Sequence, residues 1–113
     1  MALRLFLLQR VSAALMVPLI AMHIWLIYYA TADGLSAADI LSRTRGSLFW
    51  GLFYTVFVVL VSVHAAIGLR SVLADWSRFD EPGLDTMTWL AGLLLLVTGL
   101  RAVAAVVLPG GLP

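Results

Sequence analysis

Three apolar stretches, Val11 to Ala30, Leu48 to Leu69 and Met87 to Leu108, dominate the order of residues along this chain. A bilayer hydrocarbon core of roughly 30 Å calls for about 20 apolar residues of helix, and each stretch has that length. The pattern predicts an all-α integral membrane protein with three transmembrane helices over about residues 11–30, 48–69 and 87–108. What remains is a ten-residue N-terminus, loops at Thr31 to Ser47 and Arg70 to Thr86, and a five-residue tail. No soluble catalytic domain fits in those segments. With no internal repeat and no linker, residues 1–113 read as a single membrane domain.

The polar segments predict local structure. In the first loop, Ser36 is placed to cap a short turn of helix at Ala37 to Ser42, between Gly34 and Gly46. The second helix is expected to continue past the membrane surface through Ala74. Glu81-Pro82-Gly83 is then expected to force a turn, with Asp85 or Thr86 capping the third helix. Pro18 is a single candidate kink in the first helix.

Composition narrows the function classes. At 63% hydrophobic and 12% charged residues, the chain is too apolar for an ordinary soluble domain. The first apolar stretch is too long for a cleavable signal and lacks a small-residue cleavage pattern, so the first helix is expected to remain. No cysteine is present, which excludes disulfides, iron–sulfur clusters and covalent haem attachment through this chain. The net charge of +1 with scattered basic residues leaves no nucleic-acid footprint. With Arg4, Arg10, Arg70 and Arg78 on one side against Arg43 and Arg45 on the other, the N-terminus is expected to face the cytoplasm, across the inner (cytoplasmic) membrane.

The polar residues within the spans carry the candidate chemistry. His23 lies thirteen residues after Arg10, about 20 Å into the first helix, whereas His64 lies six residues before Arg70, about 9 Å from the inner end of the second. An imidazole at such depth needs a partner: either a group on a neighbouring helix, or haem iron taking a ring nitrogen as axial ligand. Ala65, Ala66 and Gly68 keep one side of the second helix small, which suits the approach of a flat macrocycle and equally suits close helix packing. A depth difference of about 10 Å argues against both histidines serving one iron. The second ligand of each would come from another chain, and a three-helix hairpin with such residues is itself expected to pack against a partner.

Arg101 lies about 10 Å before the outer end of the third helix, where it must snorkel, pair or face the interior; pairing with a haem propionate is the sharper option. Arg10 and Arg70 at the inner edge face an analogous choice among headgroups, propionate and quinone. The tryptophans and tyrosines fall mostly at helix ends, as interfacial anchors do. Asp75 and Trp76 place a proton-active carboxylate beside an aromatic donor at the membrane surface. That pair suits either an interfacial anchor or a quinone headgroup.

In length and three-helix layout the chain resembles the small cytochrome b anchor subunits of succinate:quinone oxidoreductases. Gln9-Arg10-Val11-Ser12 is similar to the Arg-x-Ser/Thr stretch that begins helix one of the larger anchor. His64-Ala65-Ala66-Ile67-Gly68-Leu69-Arg70, followed by Val72-Leu73-Ala74-Asp75-Trp76, is similar to the haem-ligand segment His-x-x-x-Gly that ends in Asp plus an aromatic. The resemblance implies that His64 is an axial ligand of haem b and that Arg10 and Trp76, with Ser12 and Asp75 of the same motifs, border a quinone pocket. His23 resembles the helix-one histidine of two-haem members, so one or two haems are implied. The implied partners are a second membrane anchor, an iron–sulfur subunit, a flavoprotein subunit, quinone and the bilayer. This chain itself would not be the dehydrogenase.

Two departures stand out. Trp76 takes the place of a tyrosine common in the smaller anchor, and Phe6 that of a serine four residues before the arginine of the larger one. The competing expectation is a haem-free structural or transport subunit in which His23, His64 and Arg101 form an interhelical polar network.

Overall fold

The computed structural model of the chain describes residues 2–32, 34 and 36–111; parts of the first loop (Asp33, Leu35) and of the tail (Leu112, Pro113), and Met1, lie outside the described residues. It is all-helical there: α1 (Leu3–Ala32), α2 (Ala37–Thr44), α3 (Leu48–Trp76) and α4 (Glu81–Val107). α1, α3 and α4 are each long and apolar enough to cross a membrane. At 30 residues, α1 measures about 45 Å, more than the hydrocarbon core needs, so the long helices project beyond it or tilt within it.

The ends differ from expectation for local reasons. α1 begins eight residues before Val11, because the leading residues are mostly Leu, Arg and Gln, all good helix formers, and it continues unbroken through Pro18. α4 begins at Glu81. The Glu81-Pro82-Gly83 run is its first turn, where a missing proline N–H costs nothing. The cap is therefore Asp80 and not Asp85 or Thr86: the Asp80 carboxylate accepts from the Gly83 N–H at 2.9 Å. A β-carbon at Gly83 would come within 2.9 Å of that same carboxylate, so glycine keeps the cap in place. The Ser36 cap of α2 is as expected, accepting from the Asp39 N–H at 3.1 Å while its hydroxyl donates to the Asp39 carboxylate at 2.7 Å. α3 reaches Trp76, two residues beyond Ala74.

α3 is the central helix, packed by α1 and by α4. The α3–α4 seam closes through small residues: a β-carbon at Gly99 would lie 2.5 Å from Val58, one at Gly92 3.4 Å from Ala66, and one at Gly51 3.1 Å from Val107. Such residues let helix backbones approach where lipid supplies no hydrophobic drive. α2 docks on the end of α4. Arg45, Thr44 and the Gly46 N–H donate to the carbonyls of Ala105, Val106 and Val107 at 3.4, 2.8 and 2.6 Å, and the Leu108 N–H takes the Ala104 carbonyl at 3.1 Å. All four terminal carbonyls of α4 are thereby satisfied, which explains why Thr44 is the one fully buried residue of α2.

Among the described residues the buried apolar core is small, consisting of Leu26, Phe53, Ala66, Ile67 and Leu84. Large apolar side chains such as Leu90, Leu93, Leu94, Val97 and Leu100 face outward along α4, as on a surface made for lipid or another helix.

Candidate functional site

His64 is held from across the α1–α3 interface. Ser12, 3% exposed, turns its hydroxyl to the Gln9 carbonyl at 3.0 Å, and the Ser12 oxygen lies 3.3 Å from His64 Nδ1, with the Gln9 carbonyl 3.4 Å from that nitrogen. Since the serine proton is already directed to Gln9, the natural assignment has Nδ1–H donating to this pair. Nε2 makes no hydrogen bond among the described residues and is left as the nitrogen with a free lone pair. Gly68, one turn further along α3, leaves room for the Gln9 side chain, whose amide nitrogen lies 3.5 Å from where a β-carbon would be.

This donor arrangement fits a haem axial ligand. Histidines that bind metal almost always give their other ring N–H to a carbonyl, carboxylate or water, which fixes tautomer and ring orientation. The fit extends to one position only. Among the described residues no group of three or more His, Cys, Asp or Glu stands together.

His23 sits in a different setting. Its ring meets Tyr54 and Phe57 edge-on, with centroids 6.0 and 5.5 Å apart, at the wall of a groove lined also by Val58, Leu95 and Thr98. Nδ1 of His23 is buried without a hydrogen-bond partner. The orienting bond that His64 enjoys is thus missing, and His23 fits a ligand role less well. The pairing of Ser12 with His64, and of His23 with Tyr54 and Phe57, spaces the histidines by eleven residues of α1 or about seven of α3. That is roughly 10–16 Å along the helices, too far for one iron.

At the end of the bundle carrying the N-terminus, Arg70 is paired twice: with Glu81 at 2.8 Å and with Asp85 at 3.0 Å. Its side chain is only 13% exposed. Ala2, Leu5, Ser71, Ala74, Asp75 and Leu84 complete a cleft of about 350 Å³ around it. Asp75 lines this cleft, while Trp76, 86% exposed at the last position of α3, points outward. Arg10 is exposed as well, its guanidinium 5.2 Å above the Phe6 ring. The phenylalanine that departs from the larger anchor's serine therefore serves as a cation–π partner.

The structure thus brings Ser12 to His64 and places Asp75 in a cleft with Arg70; it does not gather Arg10, Trp76 and Asp75 into one pocket within this chain. Arg10 and Ser12 fall on opposite sides of α1. The His23, His64 and Arg101 network is not assembled either, because each histidine is engaged in a separate layer of the α1–α3 interface and Arg101 is exposed on α4. Two contributors escaped sequence reasoning. The Gln9 carbonyl as a partner of His64 left no signal, being backbone. The Arg70 pairing had one: carboxylates four apart, at 81 and 85, share a helix face once Asp80 is read as the cap.

Residues 2–107 match the sequence model of the succinate dehydrogenase/fumarate reductase transmembrane subunit family. The succinate dehydrogenase hydrophobic membrane anchor subunit of Archaeoglobus fulgidus is similar to this chain, with 31% identity over 97 residues that cover 84% of this chain and 82% of that protein. No solved structure matches the chain.

Proposed function

The chain belongs to the succinate dehydrogenase/fumarate reductase transmembrane subunit family, and from that premise we propose that it binds haem b through His64 and contributes to the quinone site of the complex. As a membrane anchor subunit it associates with the other subunits of a succinate dehydrogenase and with the bilayer. The observation that carries the haem assignment is the contact of His64 Nδ1 with Ser12 and the Gln9 carbonyl, which leaves Nε2 for iron. Haem b, when bound, supplies a one-electron relay within the membrane.

In this reading the residues of the chain bind, orient and hold protons. Ser12 and Gln9 orient His64, and a second ligand to the iron would come from a sister anchor. The N-terminus faces the cytoplasm, where the flavoprotein and iron–sulfur subunits sit against the α3–α4 loop. The Asp75 carboxylate stands beside the cleft as the acid–base group of this end, and the Trp76 indole N–H and Arg10 meet quinone at the face shared with the iron–sulfur subunit. One or two haems fit this reading; a second would be held at His23, with Arg101 as its outer propionate partner.

The complex purified through a tag on this chain tests the reading. Flavin and iron–sulfur subunits are expected to co-purify, and Asp75→Asn is expected to lower quinone reduction while dye-coupled succinate oxidation persists. A preparation without flavin contradicts the anchor role, and full quinone reduction by Asp75→Asn contradicts its place at the quinone end.

A further inference from the structure

Arg70 is the least exposed charged group at the N-terminal end of the bundle, and it reaches from α3 to two carboxylates on one face of α4, Glu81 at 2.8 Å and Asp85 at 3.0 Å. A guanidinium that is 13% exposed at the membrane edge is costly without counter-charge, so this pairing decides where the first turns of α4 lie. Glu81, in the first turn of α4, also sits where a helix N-terminus favours negative charge. The second fixing point is the Asp80 cap. Between them, the connection from Trp76 to Glu81 is closed at both ends: Ser77 back-bonds to Leu73 through both its N–H and its hydroxyl, and Asp80 holds the Gly83 N–H. Asp75 lies on the stretch of α3 that runs past Arg70, and it lines the same cleft as Arg70 and Glu81.

We propose that Arg70 is a positioning residue: its double ion pair to Glu81 and Asp85 clamps the α3–α4 corner and thereby sets how Asp75 and Trp76 are presented at the quinone end. The clamp works through geometry and touches no substrate. Its carboxylates occupy the arginine, so Asp75 keeps its own carboxylate free of an ion pair among the described residues. Glu81 and Asp85 are largely exposed, 80% and 64% at the side chain, so losing one of them is a small, solvent-screened change, whereas losing both leaves a nearly buried cation uncompensated. The part of the proposal concerning quinone rests on the reading of Asp75 and Trp76 given above; the part concerning the corner does not.

The test uses the intact complex carrying Arg70→Gln, Arg70→Lys, the pair Glu81→Gln with Asp85→Asn, and all three neutralising changes together. Two readouts are taken: amide hydrogen exchange over residues 76–86, and the split between KM and kcat for quinone reduction. The clamp predicts faster exchange and a KM raised about three- to tenfold, with smaller change in kcat, in both Arg70→Gln and the double carboxylate variant. The combined variant is expected to add little, as groups acting as a unit do. Arg70→Lys, which keeps the charge but loses the planar fork, should recover part of both effects. A raised KM in Arg70→Gln with normal KM in the double carboxylate variant overturns the clamp in favour of direct ligand contact. Unchanged exchange in both variants overturns it outright. Faster exchange with unchanged KM overturns the positioning claim; if Asp75→Asn also retains full quinone reduction, the quinone-end reading falls with it.

Discussion

The hydroxyl oxygen of Ser12 lies 3.3 Å from Nδ1 of His64 while its proton is directed to the Gln9 carbonyl, so one turn of α1 holds an imidazole that belongs to α3. This contact ties the opening motif of the first long helix to the most specific motif of the chain. It also separates the roles of two neighbours, since Ser12 faces inward and Arg10 faces out.

Ser12→Ala removes one of the two groups near Nδ1 and leaves the Gln9 carbonyl. Orienting partners of metal-binding histidines are worth about 10–100-fold in affinity, and the surviving carbonyl places this variant near the lower end, about tenfold. Haem retained per complex after dilution in detergent measures it. Retention equal to that of the wild type would remove Ser12 from the account.

The α3–α4 seam makes a graded prediction. A methyl at Gly99 meets Val58 at 2.5 Å, whereas one at Gly92 meets Ala66 at an ordinary 3.4 Å. Gly99→Ala should cost about 1–3 kcal/mol through overpacking, and Gly92→Ala less than that. Thermal unfolding of the purified complex, followed by loss of helix signal, ranks the two; the reverse order would contradict the seam as described.

Thr44→Val tests the docking of α2 on α4. The substitution keeps the shape and removes the donor to the Val106 carbonyl at 2.8 Å. Leaving a half-buried carbonyl unpaired costs about 1 kcal/mol, and the loss should appear as faster amide exchange confined to the last two turns of α4 and to α2. Exchange spread evenly over all helices would point to another cause.

Much of this was legible in the sequence, and the parts that were not share a reason. Three spans and the separate layers of His23 and His64 follow from apolar length and from the 1.5 Å rise of a helix, and the Ser36 cap from residue type, none of which needs tertiary information. Helix ends were less legible. Glu81-Pro82-Gly83 reads as a turn by residue type, yet the same residues form a first turn once Asp80 caps it, and only the register of the loop distinguishes the two. Partners across helices were least legible: Gln9 acts through its backbone carbonyl, and Arg70 finds Glu81 and Asp85 only because α4 starts six residues before its apolar stretch. Arg101 and Trp76 were each open to an anchoring or a cofactor-binding role by residue type, and within this chain both face outward.

The central claim is that His64 is the haem ligand contributed by α3. A dithionite-reduced minus oxidised spectrum, with a pyridine haemochrome count, on complexes carrying wild-type chain, His64→Ala or His23→Ala tests it most directly. The account predicts haem b in the wild type, loss of one haem in His64→Ala with the complex still assembled in the membrane, and a separate effect, on a second haem only, in His23→Ala. An unchanged haem spectrum and count in an assembled His64→Ala complex would contradict it.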